Sequence, residues 1–346
     1  MVSPIASAAR ATLPAVVVLH NLDPLWAPSD TAIAMDSVNE LVNALVAEGH
    51  RVHEVPVTDT DIATVLAPYK PAKHIVFNWC EELPGIPHSD AQVAACLEQL
   101  GYTYTGSPPE VLSLSWDKAA VKAALVDSGL PTPYGRVVDT DFVEDWGRFP
   151  AIVKPAFEHC SLGIDNNAVV LDAKELSDRV VHIREIFAQP ALVEEFIDGR
   201  EFHVTLWGNG RIHMLPPVEM DFSAFTDVRD RLCTFDSKFT PGSRHYEGIE
   251  SHIPALDTGE HSALQRTSEA AYRQLGCRDF ARLDLRLRDD KFYVLDVNPN
   301  ADISSDTSLA YAAEAAGMAY GGFLSRLVNL AAERRPIASS AGELPC

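Results

Sequence analysis

The chain has 346 residues, of which 47% are hydrophobic and 22% charged, a composition typical of a globular protein of two or three domains. Its 28 basic and 49 acidic residues give a formal net charge of −21, so we expect neither nucleic acid nor a membrane as a partner. The six cysteines lack zinc-site spacing and no apolar run is long enough to span a membrane, which favours reduced thiols in a cytoplasmic protein.

The first third alternates short apolar runs with segments of helical periodicity. The predicted elements are strands at 15–19, 51–57 and 74–77 and helices at 38–49 and 92–100. The first strand is β-branched throughout, as in buried parallel strands. This order predicts an open α/β domain over residues 1–111.

The middle of the chain predicts a small α+β domain over residues 112–190. Its predicted elements are helices at 117–128 and 174–187 and strands at 151–154 and 169–171. The segment 157–167 is loop-like.

The last third, residues 191–335, contains two predicted hairpins. One turns at Asn209-Gly210, a favoured two-residue turn. The other pairs 280–287 with 291–298 across two aspartates. Two helices close this region, and we predict that 336–346 is a disordered tail.

The second hairpin carries polar residues with a period of two. Arg282 and Asp284 share one face of their strand, and Asp296 and Asn298 share one face of the partner strand. Two facing carboxylates about 4 Å apart repel by about 4 kcal/mol at an effective dielectric near 20, so such a pair favours a hard cation such as Mg²⁺. The alternative is that Arg282 simply neutralises Asp284 on a solvated sheet.

Two further features suggest a nucleotide site. Lys154 ends an apolar strand and precedes the loop 158–163, where an ammonium and backbone N–H groups could hold phosphate. The strand 192–197 is followed by acidic residues that include Glu201, a pattern suited to adenine and ribose. The alternatives are a solvated lysine and a core strand that ends in an exposed turn.

Taken together, these motifs resemble the ATP-grasp superfamily, and within it the D-alanine–D-alanine ligase-like group. The resemblance runs from about Ile75 to Ala332. Its landmarks are Phe77–Cys80, Tyr104–Ser107, Asp117-Lys118, Pro131–Pro133, Val153–Pro155, Glu194–Ile197 with Gly199 and Glu201, Arg282–Asp284 and Asp296–Asn298. The implied fold is an ATP-grasp fold, α/β and α+β, preceded by the N-terminal open α/β domain.

The resemblance implies a role for each matching residue. Residues implied to bind ATP are Lys118 and Lys154 at the phosphates, Cys160 and Ser161 in the loop that covers them, Glu194, Glu195 and the backbone of Ile197 at adenine, Glu201 at ribose, and Lys238 near the γ-phosphate. The implied catalytic residues are Arg282, Lys238 and Ser161, with Arg282 stabilising a tetrahedral intermediate and also contacting substrate. Asp284, Asp296 and Asn298 are the implied ligands of two Mg²⁺ ions, with Mn²⁺ as an alternative.

The activity that the resemblance implies is ATP-dependent ligation of a small-molecule carboxylate to an amine. An acyl phosphate forms first, ADP is released, and the amine then displaces phosphate. A homodimer is a further implication. The alternatives are an ATP-grasp kinase, a ligase with a non-amine acceptor, and a non-catalytic nucleotide-binding protein.

The sequence departs from the family pattern on the amino-acid side. Cys160 and Phe239 stand where the family has Ser and Tyr, and the segment 21–30 offers no clear equivalent of a family Glu. Asp302 stands in place of a Gly. We therefore predict a product other than D-alanyl-D-alanine, with Asp302 and His88 as candidate substrate contacts. The alternative for His88 is an ordinary surface histidine.

Overall fold

The structure is a computed structural model that describes residues 13–140, 143 and 145–335. The predicted tail at 336–346 lies outside the described residues. Contacts divide the chain into two compact units, one with residues 13–87, 96–105 and 321–335, the other with residues 88–95 and 106–320. The predicted three-domain division at 111 and 190 stays a prediction.

The first unit contains a four-stranded parallel sheet in the order β2-β1-β3-β4. Its strands are β1 (Ala15–Asn21), β2 (Val52–Val57), β3 (His74–Trp79) and β4 (Thr103–Tyr104), and its helices are α1 (Pro28–Ala47), α2 (Ile62–Leu66), the end of α3 (Asp90–Gln99) and nearly all of α11 (Tyr320–Glu333). Helix α1 starts with a proline, whose fixed φ suits the first helical turn. The predicted open α/β architecture is confirmed.

Helix α11 joins this first unit although it lies near the end of the chain. On the first unit's side, the His50 imidazole Nε2 lies 2.8 Å from the Ser325 Oγ of α11. Phe323, Leu324 and Leu327 of the same helix are fully buried.

The second unit begins with helices α4 (Pro109–Trp116) and α5 (Lys118–Asp127) and a small antiparallel sheet in the order β5-β8-β6-β7. The strands are β5 (Gly135–Val138), β6 (Ala151–Pro155), β7 (Val169–Val170) and β8 (Ala191–Glu195), and α6 (Ala173–Phe187) packs on them. Val153 and Val193 from the sheet and Leu176, Val180 and Ile183 from the helix form this core.

A larger antiparallel sheet follows, in the order β12-β11-β9-β13-β14, with β10 paired to β9. Its strands are β9 (Arg200–Trp207), β10 (His213–Met214), β11 (Val218–Asp221), β12 (Glu250–His252), β13 (Phe280–Arg288) and β14 (Lys291–Asn298). The helices of this region are α7 (Asp236–Phe239), α8 (Arg244–Gly248), α9 (Thr258–Gln274) and α10 (Ser308–Ala315), with a 3₁₀ turn at Val228–Asp230.

Both predicted strand pairings are present, but only the second hairpin has the predicted two-residue turn. In the second one, Asp289 and Asp290 have φ of +51° and +58°, the left-handed pair that closes a tight two-residue turn between β13 and β14. In the first hairpin only His213 and Met214 pair with β9. Because Trp207 pairs with His213, residues 208–212 connect the two strands, and the predicted two-residue turn at Asn209-Gly210 is wrong.

No helix among residues 13–140, 143 and 145–335 combines the length and apolar character needed to cross a membrane.

Candidate active site

One face of the large sheet is polar across several strands. Because side chains alternate along a strand, Glu201, His203 and Thr205 of β9 lie on one face and Phe202 and Val204 on the other. The register continues the polar face onto β13 and β14. Across β9 and β13, Glu201 lies opposite Arg286, His203 opposite Asp284, and Thr205 opposite Arg282.

The two carboxylates of the hairpin face each other as the sequence predicts. Asp284 lies directly opposite Asp296, and Arg282 lies opposite Asn298. A bulge follows Asp284, at which the register shifts between Asp284 and Leu285. Bulges re-aim side chains and are frequent beside active sites. The predicted alignment of the two polar faces is confirmed.

Arg282 holds the first of these carboxylates. Its Nε and Nη2 donate to the two carboxylate oxygens of Asp284 at 2.8 and 3.0 Å, a bidentate pair. The Asn298 amide nitrogen approaches Asp284 Oδ2 at 3.3 Å. Burial alone would raise the pKa of Asp284, but Arg282 and His203 more than offset it and lower that pKa. Neutralisation by Arg282, the alternative left open by the sequence, is therefore present as well.

Lys118 holds the second carboxylate. Its Nζ donates to Asp296 Oδ2 at 2.9 Å from the first turn of α5. Burial opposes ionisation of Asp296, but Lys118, His159 and Lys154 outweigh it and hold the pKa of this carboxyl well below its usual range. Asp296 is therefore ionised at neutral pH, as a cation ligand must be.

Beside this pair, Glu194 binds two buried lysines. The Lys122 Nζ lies 2.5 Å from Glu194 Oε1, and the Lys154 Nζ lies 2.6 Å from Glu194 Oε2. Lys122 also donates to the Pro133 carbonyl and to the Thr132 hydroxyl. The Glu194 side chain is 2% exposed, so its charge depends on these partners rather than on water.

The pKa shifts follow from this arrangement. Burial favours neutral Glu194, yet Lys154 and Lys122 prevail and lower its pKa. Burial likewise opposes the charge of Lys154, but Glu194 and Asp296 raise its pKa above the usual value. Burial dominates at Lys122 and lowers its pKa. The sequence-based reasoning missed Lys122, although it lies one helical turn after Lys118 and so on the same side of α5.

The loop after β6 brings Ser161 and Lys238 together. The Lys238 Nζ donates to Ser161 Oγ at 2.8 Å, and Ser161 Oγ donates to the Cys233 carbonyl at 3.1 Å. Cys160 and Ser161 have φ of +55° and +60°, a region that residues other than glycine seldom adopt. Cys160 is exposed.

Gly163 fixes the end of this loop. A Cβ at that position would lie 2.7 Å from Pro155 and 2.8 Å from Phe187, and its φ is +73°. Buried Arg179 of α6 donates to the Gly163 carbonyl at 2.7 Å and pairs with Asp165 at 3.2 Å. Only glycine fits this backbone, and the hydrogen bond from Arg179 fixes its position.

The other residues implied at the nucleotide have protein partners as well. Glu201 Oε2 accepts from Arg286 Nε at 2.7 Å, and Arg286 Nη1 donates to the Ile197 carbonyl at 2.8 Å. Glu195 pairs with Arg288 at 2.8 Å and with Arg148 at 3.3 Å. The three predicted nucleotide residues are therefore structurally held, and their contact with ATP stays a prediction.

His88 and Asp302 lie in different surroundings. The His88 ring stacks on Trp116 at 3.9 Å between centroids, and His159 meets the same indole edge-on at 4.1 Å. Burial, followed by the charge of Lys118, lowers the pKa of His159 to about 4, so it is neutral at pH 7. Asp302 is exposed, and its Oδ1 accepts from the backbone N–H and hydroxyl of Ser304.

The residues present fit Mg²⁺ at the hairpin. Asp284 and Asp296 supply ionised oxygens and Asn298 an amide oxygen, and all three lie at paired positions on neighbouring strands. Such oxygen ligands are those that Mg²⁺ prefers. The two facing carboxylates, with Arg282 on the same sheet and Lys118 on α5, form an electrostatic environment suited to a metal-bound polyphosphate.

Solved structures of ATP-grasp ligases share this fold. The crystal structure of a D-alanine–D-alanine ligase from Bacillus anthracis complexed with ATP matches with a TM-score of 0.71 over 93% of this chain and 98% of that chain, at 21% identity. A second crystal structure of the D-alanine–D-alanine ligase from Bacillus anthracis matches with a TM-score of 0.68 over the same shares of the two chains, at 22% identity. The predicted ATP-grasp fold is confirmed.

Sequence relatives identify the family. The family model described as "D-ala D-ala ligase C-terminus" matches residues 137–329. A D-alanine–D-alanine ligase of Marinomonas sp. (strain MWYL1) is 31% identical over 82% of this chain and 88% of its own length. The uncharacterized protein y4sG of Sinorhizobium fredii (strain NBRC 101917 / NGR234) is 35% identical over 75% of each chain. The chain belongs to the D-alanine–D-alanine ligase family and is an ATP-dependent ligase that forms carbon–nitrogen bonds.

Proposed function

We propose that this enzyme activates a small carboxylate as an acyl phosphate and transfers it to an amine, with release of ADP and phosphate. The observation that carries the proposal is the opposed pair Asp284 and Asp296, flanked by Lys118 and by the Lys122–Glu194–Lys154 cluster. Fixed positive charge beside a hard-cation site is what transfer of a phosphoryl group requires.

In the first step, a carboxylate oxygen of the substrate bonds to the γ-phosphorus and the bond to ADP breaks. Lys154 and Lys118 stabilise the oxygens of the transferring group, and Glu194 keeps Lys154 charged and oriented. Asp284, Asp296 and Asn298 would hold Mg²⁺, which would supply further charge neutralisation at the phosphates. Lys238, linked to Ser161, holds the loop across the phosphates and keeps water away from the acyl phosphate.

In the second step, the amine nitrogen bonds to the activated carbonyl carbon. The carbonyl oxygen becomes an oxyanion, and phosphate leaves as the carbonyl re-forms while the amine loses a proton. Arg282 supports this charge, since its guanidinium is buried and stays protonated beside Asp284. The homodimer stays an expectation from the family resemblance, and the cytoplasmic location stays an expectation from the cysteine pattern and composition.

The experiment is release of ADP from Mg-ATP, measured across a panel of D- and L-amino acids, amines and small carboxylates. The Asp296→Ala variant is the blank. Release that needs one carboxylate with one amine, and that disappears in the blank, supports the proposal. Release with a carboxylate and hydroxyl or thiol acceptors alone contradicts amide formation and favours a ligase with a non-amine acceptor.

We also propose that the product differs from D-alanyl-D-alanine. Cys160, Phe239 and Asp302 replace residue types that the family resemblance leads us to expect on the amino-acid side. Relatives named D-alanine–D-alanine ligase make D-alanine the first substrate to test. Turnover that is faster with D-alanine as both substrates than with every other pair of substrates contradicts this part of the proposal. It leaves the proposed ligase activity intact.

The role of Asp302 has a separate test because its carboxylate also orders its own turn. Asp302→Asn keeps an acceptor for Ser304 and removes the charge, and Asp306→Asn is the matched control in the same exposed loop. If Asp302 acts on the substrate, Asp302→Asn changes the preferred amine or carboxylate while the KM for ATP stays constant. An unchanged substrate profile limits Asp302 to its structural role.

A further inference from the structure

A second cluster of ligand-type side chains lies on the polar face, apart from the three hard ligands. Glu201 and His203 are two residues apart on β9 and therefore share a face, and Cys233 comes from the segment before α7. One ligand atom from each, a carboxylate oxygen, an imidazole nitrogen and the thiol sulfur, all lie within 4.8 Å of one another. Glu201 and His203 are buried and Cys233 is half-buried.

The orientation of the histidine suits an ion. The Nδ1 of His203 is hydrogen-bonded to the Ser308 hydroxyl of α10 at 3.1 Å. Its Nε2 therefore points the other way and lies 3.9 Å from Glu201 Oε1. Histidines that bind metals typically use one ring nitrogen for the ion while a neighbouring group fixes the other.

Glu201 is held in a corresponding manner. Its Oε2 accepts from Arg286 Nε at 2.7 Å, and its Oε1 lies on the side of His203. The carboxylate oxygen of Glu201 and the imidazole nitrogen of His203 that face the shared space thus both belong to side chains whose other polar atom is anchored. Asp284 Oδ1, 3.9 Å from the same imidazole nitrogen, stands at the edge of this cluster.

The ligand chemistry differs from that of the hairpin carboxylates. A thiolate, an imidazole and a carboxylate form the ligand set of Zn²⁺ and Co²⁺, which take sulfur and nitrogen readily, whereas Mg²⁺ prefers oxygen throughout. Three protein ligands leave a fourth tetrahedral position open, as in zinc sites that bind an exchangeable ligand.

We propose that Glu201, His203 and Cys233 form a binding site for a zinc-type divalent cation, separate from the Mg²⁺ ligands Asp284, Asp296 and Asn298. Binding forms a bond from the Cys233 sulfur to the ion and releases the thiol proton to solvent. The site needs no nucleotide and does not rest on the proposed ligase reaction. Its ion lies at the carboxylate implied to bind ribose, so the ion and ATP compete.

The experiment titrates Co²⁺ into the reduced, nucleotide-free protein. Cobalt bound by a thiolate gives a sulfur-to-metal charge-transfer band in the near ultraviolet, which oxygen ligands do not produce. We expect such a band with one equivalent of Co²⁺, its loss on addition of Zn²⁺, and its persistence in an excess of Mg²⁺. Addition of ATP without Mg²⁺ lowers the apparent affinity for Co²⁺, provided that the chelation of Co²⁺ by ATP is subtracted.

Variants assign the band to individual ligands. Cys233→Ser removes the band, and His203→Asn, whose amide retains a partner for Ser308, weakens Co²⁺ binding by more than about 100-fold. Ser308→Ala weakens binding by about 10-fold, since loss of a group that only orients a ligand typically costs 10- to 100-fold. Cys160→Ser and Cys277→Ser, which remove an exposed and a more buried thiol elsewhere, leave the band unchanged. Thermal unfolding of each variant verifies that it is folded.

Three results overturn the proposal. One is the absence of a charge-transfer band in the wild-type protein at a saturating concentration of Co²⁺. Another is a band that survives in folded Cys233→Ser or disappears in Cys160→Ser, which assigns the thiolate to a different cysteine. The third is displacement of Co²⁺ by millimolar Mg²⁺, which assigns the ion to the hairpin carboxylates. None of these results bears on ADP release, so failure of this proposal is distinct from failure of the ligase proposal.

Discussion

The two faces of the large sheet are built from the same strands and are both extensively buried, yet they have opposite chemistry. On one face Phe202, Val204, Leu283 and Leu285 pack under α9 and are fully buried. On the other face Glu201 and Arg286 are 5% and 2% exposed. Burial therefore does not distinguish a core from a site. Pairing does, because each buried charge on the polar face has an opposite charge or a hydrogen-bond partner at contact distance.

The largest expected effect comes from a variant that changes the polar face and leaves the apolar face intact. Asp296→Asn should lower kcat/KM for ATP-dependent ADP release by about 10³-fold, which corresponds to about 4 kcal/mol in the barrier. The reason is that the variant loses an ionised oxygen at the phosphates while the sheet keeps its packing. Asp290→Asn, in the exposed turn of the same hairpin, is the control and should retain activity. Equal activity in the two variants would remove Asp296 from the site.

Glu194→Gln tests whether charge pairing holds the polar region together. The amide leaves two buried ammonium groups without a counter-charge, so we expect a loss of about 3 kcal/mol in the free energy of unfolding at pH 7. Urea unfolding with a fluorescence readout measures it. Asp178→Asn, at the exposed ion pair with Lys174, is the control and should change stability by less than about 1 kcal/mol.

The free energy of unfolding should also depend on pH through Glu194, and Glu194→Gln is the comparison that reveals it. The folded protein lowers the pKa of Glu194 below its usual value of 4.5, so the stability that this group contributes is present above pH 4.5 and is lost as the pH falls below it. The wild-type protein should therefore lose stability on acidification more steeply than Glu194→Gln. Parallel curves of stability against pH between 3 and 6 would contradict the ionised Glu194.

Val204→Ala disturbs the packing of the apolar face instead. Loss of two methyl groups and the residual cavity should cost about 2 kcal/mol of unfolding free energy. The KM for ATP should stay constant, because the side chain points away from the polar face. If the change in the KM for ATP, expressed as a free energy, exceeds the loss of unfolding free energy, the two faces are coupled.

The smallest expected effect concerns the loop next to the polar face. Ser161→Ala removes the hydrogen bond from Lys238, worth about 1 kcal/mol, together with the hydrogen bond from its own hydroxyl to the Cys233 carbonyl. Loss of the Lys238 contact should raise the KM for ATP about five-fold. Ser237→Ala, in nearby α7, loses its hydroxyl's hydrogen bond to the Thr234 carbonyl but has no contact with Lys238 among the described hydrogen bonds, so its KM should be unchanged. If both variants behave alike, the Lys238–Ser161 contact has no specific role at ATP.

The apolar and polar faces also differ in how well the sequence predicts them. Alternation along β13 and β14 was sufficient to predict the hairpin and its polar faces. The two-residue turn alone would place Asp284 opposite Leu295, and the bulge next to Asp284 shifts the register so that Asp284 lies opposite Asp296. Helix α9 was not predicted because its exposed surface is strongly polar, although Asp257 and Glu260 form a capping box at its start.

The missed site residues depend on long-range contacts. Lys154 and Glu194 were predicted, but Lys122 was missed, because the three come from separate elements and no spacing along the chain indicates that two lysines share one carboxylate. Cys233 lies in a segment without periodic structure, so its approach to Glu201 and His203 depends on tertiary folding. The helical spacing of Lys118 and Lys122 was the one local signal available.

The shared carboxylate of Glu194 constrains how this sequence can evolve. Loss of Lys122 or Lys154 alone leaves one cation bound, whereas loss of Glu194 alone leaves two cations adjacent and buried. The order of substitutions therefore matters, and lineages that abandon this arrangement must change a lysine before the glutamate. Among homologues, the three positions are expected to vary together, with the glutamate the last of the three to be replaced.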